Sequence, residues 1–213
     1  MIPDTVITFA QRHHVEEISA LYRSTWIKHH GLHPDVFGPD PGSDWFRNII
    51  HRSVTHTETS RTADKPMIFA AAHEGNFAGY VMLTYLDGSK ARNSLHFEIA
   101  DICVADAYRG SGVGTQLIDH AKSVADRMGA NRISARVWDG NDPSYKLFQD
   151  SGFQVQCTVM ADGPRAPIPP PRASEPKNPK QHGKGQNTAV QNTHVAALYG
   201  MIGLLIALLF ALG

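Results

Sequence analysis

The stretch "YRGSGVGTQL", Tyr108–Leu117, decides how the chain is interpreted, because it holds three glycines within five residues directly after an arginine. Glycine has no Cβ, so a turn of this kind lets backbone N–H groups approach a ligand closely, most often a phosphate. The sequence predicts a strand before the turn and a helix after it. Because the first amides of a helix are unpaired and its dipole is positive there, we expect an anionic group at this turn.

Two other glycine-rich sites do not match this stretch. A P-loop requires Gly-Lys-Ser/Thr, which does not follow here. A dinucleotide-binding fingerprint requires G-x-G-x-x-G, whereas these glycines are Gly110, Gly112 and Gly114. That fingerprint also normally opens the first strand–helix unit of its domain. A glycine-rich turn that binds no ligand remains an alternative at this point.

Composition excludes several broad classes of protein. The chain has 213 residues with 20 basic (Lys and Arg) and 20 acidic ones, and this zero net charge argues against a nucleic-acid binder. Two cysteines, Cys103 and Cys157, are too few for a disulfide scaffold and favour a reducing compartment. The start, "MIPDTVITFAQRHHVEE", has no basic region followed by an apolar run, so no cleaved signal peptide is expected.

Composition also divides the chain into three predicted parts. Residues 1–161 alternate apolar segments with turn signals and suit one domain. Residues 162–194 hold seven of the 13 prolines and almost no large apolar residue, which predicts an extended, disordered linker with a basic excess. Residues 195–213 form the third part, "VAALYGMIGLLIALLFALG".

The third part predicts a transmembrane tail anchor. As a helix its 19 residues would span about 28 Å, close to the ~30 Å hydrocarbon thickness of a bilayer. The basic linker before it would stay in the cytoplasm, which places the N-terminal domain on that side. A buried C-terminal core helix is the alternative. Gly203, Ala207 and Ala211 form a row of small residues that leaves a homodimer open, although small residues are common in such helices.

Along residues 1–161, apolar periodicity and turn signals predict an α/β fold with one mixed sheet. An antiparallel opening is followed by a strand–helix–strand unit. The predicted elements, in order, are a strand at 5–10, helices at 14–30 and 44–56, a hairpin at 65–88, a strand at 94–105, a helix at 112–130, a strand at 132–138, a helix at 142–153 and a final strand at 153–161.

Two linked motifs resemble those of the GNAT N-acetyltransferase superfamily. Arg109-Gly110-Ser111-Gly112-Val113-Gly114 matches R-x-x-G-x-G, the acetyl-CoA signature, and the strand before it, within "ADICVADAYRGSGVG", is similar to the family's motif A throughout. Further on, "VWDGNDPSYKLFQDSGF" resembles motif B. The order of helices and strands fits the family from Val6 to Met160, and the tail lies outside the resemblance.

The resemblance implies how acetyl-CoA, the expected co-substrate, is bound. The strand would part from its neighbour at Ile102, Cys103 and Val104, whose free backbone groups would pair with the pantetheine arm. Asn141 would contact the cofactor from the other side. The pyrophosphate would lie against the turn behind Arg109, on the amides of Gly110, Ser111, Gly112, Val113, Gly114 and Thr115.

The implied reaction transfers an acetyl group to a primary amine by direct attack on the thioester. An alkyl ammonium has a pKa of ~10.4, so a base must take its proton first. Glu98 matches the place of the family's glutamate base and, six residues before Val104, shares its face of a regular strand. A solvated or ion-paired carboxylate is the alternative. Asp101 is the second candidate and points to the opposite face unless a bulge intervenes. The N–H of Val104 would stabilise the oxyanion.

Motif B departs from the family at the general acid. The family's tyrosine is replaced by Phe148, which has no proton to return to the leaving thiolate. Tyr145, one helical turn earlier, is the candidate substitute, with a water as the alternative. The chain is therefore predicted to be either a membrane-tethered N-acetyltransferase or a catalytically weak acyl-CoA-binding or scaffold module.

The acceptor side is the least defined. The resemblance assigns it to the first two helices and the loop between them, where Asp35, Asp40 and Asp44 suit a cationic amine or are plain solvated acids. No metal site is expected at His29, His30 and His33, because Gly31 and Pro34 break the helix that regular ligand spacing needs. Cys103 is interpreted as a buried strand cysteine.

Overall fold

The computed structural model describes residues 5–59, 66–86 and 95–158, and these residues confirm the expected α/β fold with one mixed sheet. The elements, in chain order, are β1 (Thr5–Phe9), α1 (Val15–Leu32), α2 (Ser43–Thr59), β2 (Met67–His73), β3 (Asn76–Leu86), β4 (His96–Val104), α3 (Val113–Arg127), β5 (Arg132–Ala135) and α4 (Asp142–Asp150).

The five strands form one sheet in the order in which they occur along the chain. The pairs β1–β2, β2–β3 and β3–β4 are antiparallel. The pair β4–β5 is parallel, because α3 connects these two strands as a crossover. The expected hairpin is confirmed: β2 and β3 are joined through Glu74 and Gly75, both with positive φ (52° and 79°). Positive φ at both central residues is the geometry that matches the twist of paired strands.

One face of the sheet packs against α3 and forms the main core. The predicted apolar row of α3 is confirmed, since Leu117, Ile118, Ala121, Val124 and Ala125 are all buried and Met128 is partly so. The strands contribute alternate residues to the same cluster, among them Val81, Leu83, Phe97 and Ile99. Burying each such side chain stabilises the fold by ~1.5–3 kcal/mol, so this layer fixes the positions of β4 and of the start of α3.

The opposite face carries α1 and α2. α1 packs on β3 and β4, and α2 packs on β2. Ile18 from α1 and Phe46, Ile50 and Val54 from α2 are fully buried there. α1 therefore lies over β4, the strand that carries Glu98 and Asp101.

A bulge in β4 changes which residues of that strand share a face. Met82 pairs with Asp101, but the next residue of β3, Leu83, pairs with Ile99, so Ala100 is an extra residue. An extra residue reverses the alternation of side chains beyond it. As a result Phe97, Ile99, Ile102 and Val104 all belong to the α3 side, whereas Glu98, Asp101 and Cys103 belong to the α1–α2 side.

The structure departs from expectation at two other places. α1 does not end before Gly31 but continues to Leu32, and its last turn contacts other parts of the domain. The final strand predicted at 153–161 is wrong for residues 153–158, which form no strand, and its remainder lies outside the described residues.

The linker predicted at 162–194 and the transmembrane segment predicted at 195–213 also lie outside the described residues. Within the part of the chain that the structure describes, no helix combines the length and the apolar composition that crossing a bilayer requires.

Candidate active site

The glycine turn lies at the start of α3, as predicted. Gly110 and Gly112 have φ of 80° and 86°, a conformation that side chains with a Cβ rarely adopt. Gly112 is the N-cap of α3, no side chain caps the helix, and its first turn holds no acidic residue. The orphan amides at this end therefore have no negatively charged competitor, which leaves an environment suited to an anion.

Gly114 also lies in a close contact that the sequence did not reveal. A Cβ at this position would lie 3.2 Å and 3.3 Å from the two Cδ atoms of Leu147 on α4. The same Cβ would lie 3.6 Å from Cγ2 of Val104. Gly114 thus permits α3 and α4 to approach each other closely beside the end of β4.

β4 and β5 part at the expected place. Their parallel pairing ends at Ile99 and Ala135, so residues 102–104 have no ladder partner on the β5 side among the described residues. Ala105 N–H donates to Ala78 O on β3 at 2.9 Å. Because successive N–H groups of a strand point to opposite sides, the N–H of Val104 points toward the gap.

Two backbone groups in this segment already have partners. Ile102 N–H donates to the Oδ1 of Asp101 at 2.9 Å. Val104 O accepts a hydrogen bond of 3.4 Å from Arg109 Nε, and the Arg109 guanidinium also forms an ion pair with Asp106. The expectation that Ile102 offers a free amide is therefore wrong for this structure. The amide of Val104, in contrast, faces the gap.

Glu98 is a buried carboxylate beside the same gap. It is only 6% exposed, and Arg136 Nη2 lies 3.4 Å from its Oε2. Burial raises the pKa of Glu98, because the charged form loses its hydration, and the positive charge of Arg136 partly opposes that rise. A carboxyl group with a raised pKa is a better proton acceptor than an ordinary one.

The expected shared face of Glu98 and Val104 is wrong, because the bulge at Ala100 lies between them. Asp101 joins Glu98 on the α1–α2 side instead, so both candidate bases face the helices that the resemblance assigns to the acceptor.

Asp101 is half-buried and lies among polar groups of β3 and α1. The hydroxyl of Tyr80, which is fully buried, donates to Asp101 Oδ2. Burial raises the pKa of Asp101 to about 6, and the hydrogen bonds from Tyr80 and from the Ile102 amide oppose that rise. Burial and the charge of Asp101 both raise the pKa of Tyr22 on α1.

Cys103 is half-buried on the same face as Asp101. Burial raises the pKa of its thiol, and the neighbouring charge of Asp101 raises it further, whereas a hydrogen bond with Thr25 and the charges of Arg109 and Lys28 oppose the rise. A thiol with a raised pKa is a poor nucleophile, so the geometry agrees with the interpretation of Cys103 as a strand cysteine.

The motif B residues have clear structural positions. Asn141 is the N-cap of α4, with its side chain accepting from Ser144 N at 3.4 Å, and its amide nitrogen lies 3.4 Å from His29 Nε2. Phe148 is buried in the core, 5.1 Å from the ring of Phe153. Tyr145, one turn earlier on α4, is 43% exposed.

Two of the three acids predicted for the acceptor side are paired within the domain. Asp40 in the α1–α2 loop is bonded to Arg23, and Asp44 at the start of α2 to Arg47, whereas Asp35 is exposed. The three histidines of this region contact separate groups: His29 the Asn141 amide, His30 the carbonyl of Phe37 (2.6 Å) and His33 the carbonyl of Asp139 (2.8 Å). Within residues 5–59, 66–86 and 95–158 no three His, Cys, Asp or Glu side chains converge to hold a metal ion.

Sequence reasoning did not identify Arg136 or Tyr80. A signal for Arg136 was present, because Arg132, Ser134 and Arg136 alternate with Ile133, Ala135 and Val137 on a strand of a parallel pair. No comparable signal identifies Tyr80, because its hydrogen bond to Asp101 depends on the bulge that places Asp101 on the same face of the sheet.

Comparison with known proteins agrees with this geometry. Residues 16–153 match the family described as "Acetyltransferase (GNAT) family". A putative phosphinothricin acetyltransferase, YwnH of Bacillus subtilis (strain 168), is 29% identical over 149 residues, 69% of this chain and 82% of the relative. Streptothricin acetyltransferase of Streptomyces lavendulae is 32% identical over 91 residues, which are 43% of this chain and less than half, 46%, of that enzyme.

Solved structures share the fold. A mutant of the BH1408 protein from Bacillus halodurans has a TM-score of 0.60 at 18% identity, covering 73% of this chain and 97% of its own. The structure of AAC(6')-Iy with a bisubstrate analogue of CoA and acetylneamine has a TM-score of 0.57 at 19% identity, covering 76% and 99%. With the free start of α3 and the parted strands, these matches show that the chain belongs to the GNAT acetyltransferase family and is an acetyl-CoA-dependent N-acetyltransferase.

Proposed function

We propose that the enzyme acetylates a primary amine on the cytoplasmic face of a membrane, with Glu98 as the general base. The observation that carries the catalytic part is the gap between β4 and β5, which has Glu98 on one side and the amide of Val104 at its edge. The turn at Gly110–Gly112 and the first amides of α3, to Thr115, bind the pyrophosphate of acetyl-CoA, and the end of β4 accommodates its extended arm.

The proposed reaction proceeds in three steps. Glu98 takes a proton from the acceptor ammonium, directly or through a water. The neutral amine nitrogen attacks the thioester carbonyl carbon while the Val104 N–H stabilises the oxygen that becomes negative. The carbon–sulfur bond then breaks and the sulfur leaves with the electron pair. The nitrogen loses its second proton to water, and the sulfur takes a proton from water or from Tyr145, which water then re-protonates, so that the products are the acetamide and the free CoA thiol.

The test is thiol release from acetyl-CoA by the full chain with a panel of amines, together with calorimetric titration of acetyl-CoA. We expect binding, and thiol release that depends on the amine. Absence of any heat of binding would overturn the proposal, because the turn and the first amides of α3 would then bind no diphosphate.

A second candidate function is a membrane-anchored acyl-CoA-binding or scaffold module with weak turnover. It is favoured by Phe148, which fills the core where the family has its acid and has no dissociable proton. Binding of acetyl-CoA without thiol release for any amine supports this candidate, whereas release that is lost in Glu98→Gln supports the enzyme.

The membrane part of the proposal rests on the sequence of residues 195–213, in which 19 residues follow one another without a charge. Separation of cell membranes from soluble protein tests it. We expect the full chain in the membrane fraction and a chain that ends at residue 161 in the soluble fraction. A shortened chain that still sediments with membranes would contradict the proposed anchor.

A further inference from the structure

The parallel strands β4 and β5 carry an unusual row of polar residues on one face, which we name the polar row. It consists of His96 and Glu98 on β4 and Ser134 and Arg136 on or directly after β5. Glu98 and Ser134 are register partners, His96 Nε2 lies 2.8 Å from Ser134 Oγ, and Arg136 contacts Glu98. Because β5 is the edge strand of the sheet, the polar row lies at the sheet's edge, beside the point at which β4 and β5 part.

The pair at the end of the polar row is loosely bonded. Arg136 Nη2 and Glu98 Oε2 are 3.4 Å apart, whereas a strong charge-assisted hydrogen bond measures ~2.7–2.9 Å. The Glu98 side chain is only 8% exposed but the Arg136 side chain is 39% exposed. A guanidinium has five N–H donors, and Glu98 is the only partner that the described residues give this one. Donors are therefore available for an anionic group.

The two charges lie where the proposed reaction needs the acceptor. Pairing of β4 with β5 stops at Ile99 and Ala135, and Glu98 and Arg136 flank that point on their two strands. An ammonium that approaches Glu98 is also brought close to the positive charge of Arg136. A ligand with only positive charge is repelled by Arg136, whereas a ligand with an anionic group beside its amine satisfies both side chains.

We infer that the natural acceptor is an amine with an adjacent anionic group, as in an α-amino acid, and that Arg136 binds this anionic group while Glu98 receives the amine. The inference rests on the proposed function, because it assigns the substrate class of the same site. In an α-amino acid the ammonium and carboxylate are attached to one carbon, which matches the closeness of the Glu98 and Arg136 charges.

The surroundings of the site argue in the same direction. A polycationic acceptor would be attracted by several unpaired acids, but two of the three acids named for the acceptor side, Asp40 and Asp44, are paired with arginines, which leaves the exposed Asp35. Asp101, the other acid on this face of β4, is already bonded to Tyr80 and to the Ile102 amide. Glu98 is left as the acid that faces the gap with only one loose partner.

The experiment compares matched acceptors with the full chain, measured by thiol release from acetyl-CoA. The α-amino acids are screened first. The best one is then compared with its α-amide, which keeps the amine and side chain but removes the negative charge, and spermidine and an aminoglycoside represent polycations. We expect kcat/KM to be at least about tenfold lower for the amide, because one charge-assisted bond to the ligand is lost.

Variants identify the residue responsible. In Arg136→Met the preference for the amino acid over its amide should disappear, and in Arg136→Lys it should be partly kept. Arg132→Met is the matched control, because this exposed arginine lies four residues earlier, at the start of β5, and it should keep the preference. Calorimetry with acetyl-CoA checks that each variant is folded and binds the co-substrate.

The outcomes separate the inference from the function on which it rests. Equal or faster turnover of the amide or the polycations would overturn the inference while leaving an amine acetyltransferase. So would a preference for amino acids that survives Arg136→Met. Thiol release with none of the amines would overturn the proposed function, and the inference with it.

Discussion

Tyr80 donates its hydroxyl hydrogen bond to Asp101 Oδ2, and this contact joins the buried centre of β3 to the bulged part of β4. The other carboxylate oxygen of Asp101 accepts from the amide of Ile102. One half-buried carboxylate thus bridges β3 and β4 directly before the segment at which acetyl-CoA is expected. Because the same carboxylate is costly to ionise where it lies, its protonation should be visible in the stability of the domain.

The first prediction concerns stability against pH. Burial raises the pKa of Asp101 from 3.8 to about 6, so the folded chain binds this proton more tightly than the unfolded chain does. The free energy of unfolding should therefore decrease as the pH rises from about 4 to about 6, by on the order of 3 kcal/mol from this group. Asp101→Asn should lack this decrease, measured by chemical denaturation at a series of pH values.

Asp119→Asn, at an exposed position on α3, is the control and should follow the wild type. Tyr80→Phe removes a hydrogen bond that favours the ionised carboxylate, so it should move the decrease to higher pH. If the free energy of unfolding of Asp101→Asn and of the wild type changes with pH in the same way, the prediction is wrong, because the pKa of Asp101 is then the same in the folded and the unfolded chain.

The second prediction concerns the close contact between β3 and the end of β4. A Cβ added at Gly79 would lie 2.5 Å from the carbonyl oxygen of Cys103 and 3.0 Å from Cα of Val104, so the backbone itself must shift. Gly79→Ala should lower the melting temperature and weaken acetyl-CoA binding by calorimetry. Gly38→Ala is the control, because nothing lies within 4 Å of its added Cβ. If Gly79→Ala is destabilised but binds acetyl-CoA as tightly as the wild type, the prediction is wrong, because binding then does not depend on this contact between β3 and β4.

The third prediction separates backbone strain from ligand binding at the two ends of α3. Gly112 precedes the helix with φ of 86°, and Gly129 follows it with φ of 79°. Alanine at either position costs ~1 kcal/mol or more for its positive φ, so both variants should lose similar stability. Only Gly112→Ala should also weaken acetyl-CoA binding, since its end of the helix carries the orphan amides. A similar loss of affinity in Gly129→Ala would assign the effect to stability alone.

Local signals predicted the parts of the fold that depend on local physics. The glycine turn, the apolar row of α3 and the Glu74–Gly75 hairpin are each specified by residues close together in sequence. The bulge at Ala100 is different. In a regular strand Asp101 would share a face with Phe97 and Ile99, so the sequence departs from strict alternation, but only pairing with β3 decides where the register shifts.

In the candidate site, too, the sequence predicted the features that depend on residues close together along the chain. The anion-binding end of α3 follows from glycines that are near one another along the chain. The ion pair of Glu98 with Arg136 joins residues 38 positions apart, and which of the acids on β4 meets an arginine depends on the register of β5. Likewise Gly114 is explained by Leu147 of another helix, which no local pattern reveals.

The fourth prediction concerns Glu98 as the base. Only its ionised form accepts a proton, and burial raises its pKa above the ordinary 4.5, so kcat/KM should fall as the pH drops through that raised pKa. Glu98→Gln should lower kcat by ~10²–10⁴-fold and lose this acidic limb, with acetyl-CoA binding kept.

Arg136→Met removes the positive charge that holds the pKa of Glu98 down, so the limb should move to higher pH. Glu17→Gln, at an exposed position of α1, should behave as the wild type. If Glu98→Gln keeps both its rate and its acidic limb, the proton must go elsewhere, and Asp101, on the same face of β4, is then the group to replace.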